Sequence, residues 1–265
     1  MTAPARRGAG IPGALVAPAL VGALLVLLPL LGLVVRTPWR ALGDLLGEPE
    51  AVEALRLSLV SASAAAVLAT VTGGPLGWIF ARSAHPGARA LRPLVLLPLV
   101  LPPVVAGVAL LATFGRRGIL GDGLDALGVH VPFTTLAVVL AQAFVALPFV
   151  VLTVETGVRN ADVGLEEAAA ACGASRWFTF RHVSLPLLGP SVVAAALLAW
   201  ARALGEFGAT ITFAGNVAGR TRTLPLAVVT ALQRDTDTAL ALSALLVAVS
   251  LLVLVGLRDR WLGGR

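Results

Sequence analysis

Arg202 and Glu206 lie four residues apart in AWARALGEFGATITFAGN, a stretch otherwise free of charge. A charge at membrane depth costs about 2.5 kcal/mol or more on insertion scales, so it turns to protein or water and takes a partner. On a helix the i, i+4 spacing puts both on one face, where each neutralises the other. Two roles fit. One is an internal ion pair that fixes helix packing or a subunit contact. The other is a pore or gating pair, in which Arg202 draws an anion and the pair rearranges. Glu206 alone would repel an anion and is a poor binding ligand. Other reactive chemistry is sparse. His85, His130 and His182 are widely separated, and Cys172 is the single cysteine. Without a Cys/His cluster or an H-E-x-x-H run no metal site is expected, and no disulfide can form within the chain. All 20 basic residues are Arg. A P-loop needs a Lys to reach the phosphates, so ATP hydrolysis would belong to a partner. No catalytic residue and no cofactor site is expected.

The second constellation is residues 165–186, LEEAAAACGASRWFTFRHVSLP, the most polar long interval of the chain. Asp162 can cap a helix start, and Glu166 and Glu167 then fall in the first turn, where the helix dipole favours anions. Ala168 to Ala171 are strong helix formers of little bulk. Gly173 suits a left-handed C-terminal turn. Ser175 can cap a second short helix carrying Trp177, Phe178 and Phe180. The expected product is helix, sharp bend, helix: a knob with small and aromatic surfaces. A solvated, alanine-rich loop is the plain alternative.

The elements that must position these residues follow from composition. The chain of 265 residues is 58% hydrophobic and 13% charged, too apolar for a soluble domain of that length. It reads as a single integral membrane bundle in the lipid bilayer. The arginines are scattered at the ends of apolar segments, which gives no nucleic-acid surface. Residues 1–10 form a basic N-terminus with Arg6 and Arg7. Residues 11–35 carry no charge and are long enough to span. That run is too long for a signal h-region and no A-x-A-like site follows, so it is expected to be a retained first helix. Residues 55–258 then form a core of five further transmembrane helices, with the polar interval as a loop at 160–186 and a tail at 259–265. Gly73 and Gly77 in the second span stand at GxxxG spacing, which permits close helix approach; a bend at Gly73-Gly74-Pro75 is the alternative. Pro98, Pro102 and Pro103 should break or kink the third span, 93–114, either to line a path or as a packing kink. Gln142 and Pro148 sit inside the fourth span. The fifth is expected over 187–213 and the sixth over 239–257. The apolar piece 223–232 is too short to cross and reads as interfacial or re-entrant. With both termini cytoplasmic, eleven arginines fall inside and seven outside, the sign that the positive-inside rule requires. The polar interval is then cytoplasmic too.

Glu167-Ala168-Ala169, Gly173, Val183, Leu185 and Pro186 follow the spacing E-A-A-x3-G-x9-I-x-L-P. This resembles the EAA loop of ABC-importer permeases. Val183 replaces the Ile, and Cys172 stands where Leu is usual. RALGEFGATITF (202–213), GRTRTLPLA (219–227), LPLVLPPVV (97–105) and the GRRG run (115–118) look like the molybdate permease of the molybdate/sulfate/tungstate group. Sulfate permeases share the R-x-x-G-E-[FY]-G core. The resemblance covers the chain from about Leu55 onward. It implies an all-α integral membrane fold, a six-helix transmembrane bundle of the type I ABC importer kind. Glu167, Ala168, Ala169 and Gly173 would form the ATPase-coupling helix. It further implies a homodimer in the bacterial cytoplasmic membrane, two ABC ATPase subunits beneath it and an extracytoplasmic molybdate-binding protein above. Sulfate/thiosulfate or tungstate is the alternative cargo within the group. A membrane-embedded enzyme is the alternative class, disfavoured by the absence of a metal cluster or a partnered nucleophile.

Overall fold

A computed structural model describes residues 12–262, and among them every regular element is helical. The basic N-terminus at 1–10 and the last three residues lie outside the described residues. Helix α1 (Gly13–Arg36) buries no side chain and touches mainly the last helix of the chain. The short α2 (Trp39–Gly47) leads to α3 (Pro49–Arg82), whose 34 residues make it the longest helix. At about 1.5 Å per residue it runs beyond the roughly 30 Å hydrocarbon layer at one or both ends. Next come α4 (Pro86–Leu96), a 3-10 turn (Leu97–Leu99), α5 (Pro103–Phe114), the short α6 (Gly121–Ala126) and α7 (Thr135–Asn160). Helix α8 (Val163–Ala171), α9 (Arg176–Thr179) and one π-turn (Phe180–Ser184) feed α10 (Leu185–Leu204). The chain closes with α11 (Gly208–Ala214), α12 (Leu224–Leu232) and α13 (Thr236–Leu262).

Three helices make the centre. Ala62, Ala65, Ala66 and Ala69 of α3 pack against Ala143, Ala146, Val150 and Val154 of α7 and Ala195, Ala199 and Ala203 of α10. A Cβ at Gly77 would lie 2.7 Å from the Val151 carbonyl oxygen, and one at Gly73 would lie 3.2 Å from the Val150 side chain. Helix α3 continues unbroken through Pro75. The two glycines are therefore a packing face, and the bend is not taken.

Among the described residues five helices are long and apolar enough to cross a membrane, or six spans if the bent pair α4–α5 counts as one. That pair turns by 119° at its break, so the third span is broken at its prolines, and its helical stretch starts at Pro86 rather than at 93. Pro103 has no N–H to give a preceding turn, and it drives Pro102 into an extended conformation (ψ 133°). The fifth span also differs: α10 stops at Leu204, and the chain turns off into α11 before Phe213. Helix α12, expected to be interfacial or re-entrant, is seated in the bundle. Its first turn, Leu224 to Ala227, is buried against α3 and α13, and the Leu224 N–H donates to Ser58 Oγ on α3 at 2.6 Å. The GRTRTLPLA segment is thus pinned into the bundle. Arg222 Nε donates to Asn216 Oδ1 at 2.9 Å, and Asn216 Nδ2 to Thr230 Oγ1 at 2.9 Å.

The α3–α7 contact gives a direct test. Gly77→Val should destabilise the folded chain by about 1–3 kcal/mol through overpacking. Gly74→Ala, where nothing lies within 4 Å of the added carbon, should be neutral. Thermal unfolding of both variants in one detergent checks the difference; equal midpoints would refute the packing assignment.

Candidate functional site

The polar interval folds as two capped helices. Asp162 Oδ1 accepts the Gly164 N–H at 2.9 Å and starts α8. The helix ends in a paired-bond stop: the Gly173 N–H reaches the Ala170 carbonyl at 2.9 Å and the Ala174 N–H reaches that of Ala169 at 3.1 Å. This geometry needs a left-handed residue, and Gly173 supplies it at φ +82°. Ser175 Oγ then accepts the Phe178 N–H at 3.3 Å and starts α9. Trp177 stacks on Phe180, and Phe180 meets Trp78 of α3 edge-on at 5.2 Å.

The two adjacent glutamates face different ways. Glu166 Oε1 accepts from Arg82 Nη2 at the end of α3 and from Ser184 Oγ before α10, both at 2.8 Å. Arg82 in turn lies over the Trp78 ring. Glu167, about 100° further round the helix, is exposed and makes no ion pair among the described residues. Ala168 and Gly173 are also exposed, Ala169 is half-buried, and Trp177 is 68% exposed. The knob is thus fastened on one side and bare on the other. Sequence reading chose Glu167 and missed Glu166 as the fastener. The only signal for it was that two consecutive helical carboxylates cannot share a face.

Arg202 and Glu206 do meet, with Arg202 Nη1 2.6 Å from Glu206 Oε2. They do not meet as two residues of one helix. Gly205 caps α10, and Glu206 sits in the break, turned back towards the turn before it. Its other oxygen accepts the Ala209 N–H at 2.9 Å and so satisfies the start of α11. Glu206 is 1% exposed with both oxygens occupied, while Arg202 is partly exposed. Helix α11 then lies against the other broken span. A Cβ at Gly208 would come 2.5 Å from Pro103 Cβ, and one at Gly107 would come 2.5 Å from Thr212 Cβ. No cluster of metal-ligating side chains occurs among the described residues.

Among the described residues, five candidate crossings, or six with the bent pair as one, and one capped knob between α7 and α10 make a multi-pass membrane protein. The comparisons identify which kind. Residues 73–264 match the family model described as binding-protein-dependent transport system inner membrane component, and the chain belongs to that family of bacterial ABC-importer permeases. It is 47% identical over 243 residues, 92% of both chains, to the molybdenum transport system permease protein ModB of Mycobacterium tuberculosis. It is 38% identical to the sulfate transport system permease protein CysT of Escherichia coli, over 87% of this chain and 85% of that one. A bacterial alginate ABC transporter solved with a pentasaccharide-bound periplasmic protein has the same fold, at TM-score 0.71 and 14% identity over 94% of each chain.

The buried pair is testable through its stability. Arg202→Ala leaves the Glu206 carboxylate buried beside a single donor and should cost about 3–5 kcal/mol. Arg202→Met combined with Glu206→Gln keeps an acceptor for the Ala209 N–H and should recover most of that loss. If the double variant unfolds as early as the single one, the pair is not the structural unit described.

Proposed function

We propose that this chain is the membrane-spanning subunit through which an ATP-driven importer moves molybdate across the cytoplasmic membrane. The observation that carries the reading is the two-sided knob. Its bare side, with Glu167, Ala168, Ala169 and Gly173, is the surface for an ABC ATPase. Its fastened side, through Glu166, reaches α3 by Arg82 and α10 by Ser184. A push on α8 is therefore delivered to two of the three central helices without bending the knob itself. Two ATPase subunits require two knobs, which a homodimer supplies. ATP hydrolysis resides in those partners, because the chain has no Lys for a P-loop. High affinity resides in an extracytoplasmic molybdate-binding protein, where donors can enclose the oxyanion.

Molybdate as cargo is supported by the higher identity to the ModB relative than to CysT. Sulfate is the second reading, favoured by the RALGEFG core that sulfate permeases share. Proteoliposomes holding the chain, its ATPase and its binding protein should take up molybdate with ATP and leave sulfate outside. Glu167→Lys should leave insertion intact and reduce uptake at least tenfold. Sulfate uptake in place of molybdate would change the cargo; undiminished uptake by the Glu167→Lys protein would remove the coupling role.

Both termini are placed in the cytoplasm, which puts the knob there as well. Cys172, exposed beside Gly173, reports this. A membrane-impermeant thiol reagent should spare it in intact cells and modify it in inside-out vesicles stripped of ATPase. Modification from the outside would invert the topology.

A further inference from the structure

Near the knob, the ends of α3 and α7 and the start of α4 enclose a cleft of about 510 Å³. Arg82, Arg89, Arg92 and Arg159 line it, and the carboxylate that faces them is Glu155. Glu155 is almost wholly buried. Its Oε2 accepts from Arg92 Nε at 3.0 Å, and its Oε1 accepts from Arg159 Nε and Nη2 at 3.1 and 2.8 Å. Arg82 is held from the side by Glu166. Two carboxylates against four guanidiniums leave two positive charges in excess.

The arrangement also leaves donors. Arg92 engages Glu155 through Nε, so its two terminal amino groups remain free of Glu155, and Arg159 keeps Nη1. Arg89 makes no ion pair among the described residues. Arginines flanking a span are ordinary when they spread into water. Here four from three helices line one cleft, and two of them, Arg92 and Arg159, meet on its recessed carboxylate. Guanidinium forks in that setting match the tetrahedral oxygens of a phosphate. Helix α4 adds a second requirement. Arg89 and Arg92 line the cleft, while Leu91, Leu94 and Leu97 stand exposed, Leu94 by 65%. A charged head and an apolar tail would both find surface there.

We propose that this cleft binds a phosphate-class oxyanion, and that its source is the headgroup of an anionic phospholipid in the adjoining leaflet. Arg82 is shared between the cleft and Glu166, so occupancy bears on the tie that holds the knob.

The test uses the full-length chain in detergent. Native mass spectrometry should show phosphatidylglycerol retained in preference to phosphatidylcholine. Arg89→Gln leaves Glu155 paired and should fold normally. It should weaken phosphatidylglycerol retention about fivefold, and Arg92→Gln added to it about fivefold again. A second arm titrates inorganic phosphate without lipid, at matched ionic strength, and follows the thermal unfolding midpoint. Saturable stabilisation by phosphate that Arg89→Gln weakens, with no preference between the two lipids, would keep the oxyanion site and assign it to a free anion. Equal retention of both lipids with no phosphate effect would overturn the proposal. So would an Arg89→Gln protein, folded, that binds phosphatidylglycerol as the parent does.

Discussion

Close approach of α3 and α7 is the constraint on which the rest of the bundle depends. In lipid the hydrophobic effect does not draw helices together, because the surrounding tails are as apolar as the side chains. Association then rests on dispersion across a tight contact, which small residues allow. The α3 face supplies them in register: Ala62, Ala66, Ala69, Gly73 and Gly77. The α7 face answers with Ala143, Ala146, Val150 and Val154, and α10 closes the third side with Ala195, Ala199 and Ala203. Nothing comparable exists on α1, which exposes leucine all round and buries no side chain. That helix touches mainly α13 and takes no part in this core.

A rigid three-helix centre makes broken spans tolerable elsewhere. Freed backbone groups in a membrane need protein partners. At the α10–α11 break the partner is Glu206, which accepts the Ala209 N–H while holding Arg202. At the α4–α5 break the proline chemistry removes the donor instead of satisfying it, since Pro103 has no N–H to orphan. The two breaks then lie together, Pro103 against Gly208 and Gly107 against Thr212. One discontinuity thus packs on the other.

What the sequence disclosed follows the range of the interactions. Asp162, Gly173 and Ser175 were legible because caps and left-handed stops act within four residues. The prolines of residues 97–105 announced a break, though not its 119° angle. The end of α10 at Leu204 was not legible: residues 187–213 are continuously apolar apart from the pair, and hydropathy cannot see Glu206 turning back to cap the next helix. The seating of α12 on α3 was missed for a related reason. A nine-residue apolar helix satisfies the interfacial pattern, and the Ser58 hydroxyl that captures its first turn lies 166 positions away.

Glu166 and Glu167 show the same limit within one motif. A spacing rule registers which residues recur, not which of two neighbours carries the load. The structure separates them by what each touches. Glu166 is bound at one oxygen by Arg82 and Ser184, so α8 is clamped to the ends of α3 and α10 at a single atom. A nine-residue helix is too short to hold its shape alone in water. The clamp, the Asp162 cap and the Gly173 stop give it a fixed shape within the chain itself, so a contact made on its outer side would not have to order it first. The residues on its outer side are correspondingly small, Ala168 and Ala169, with Glu167 as their one charge. The outer side is left exposed, while the inner side is tied to the bundle through Glu166.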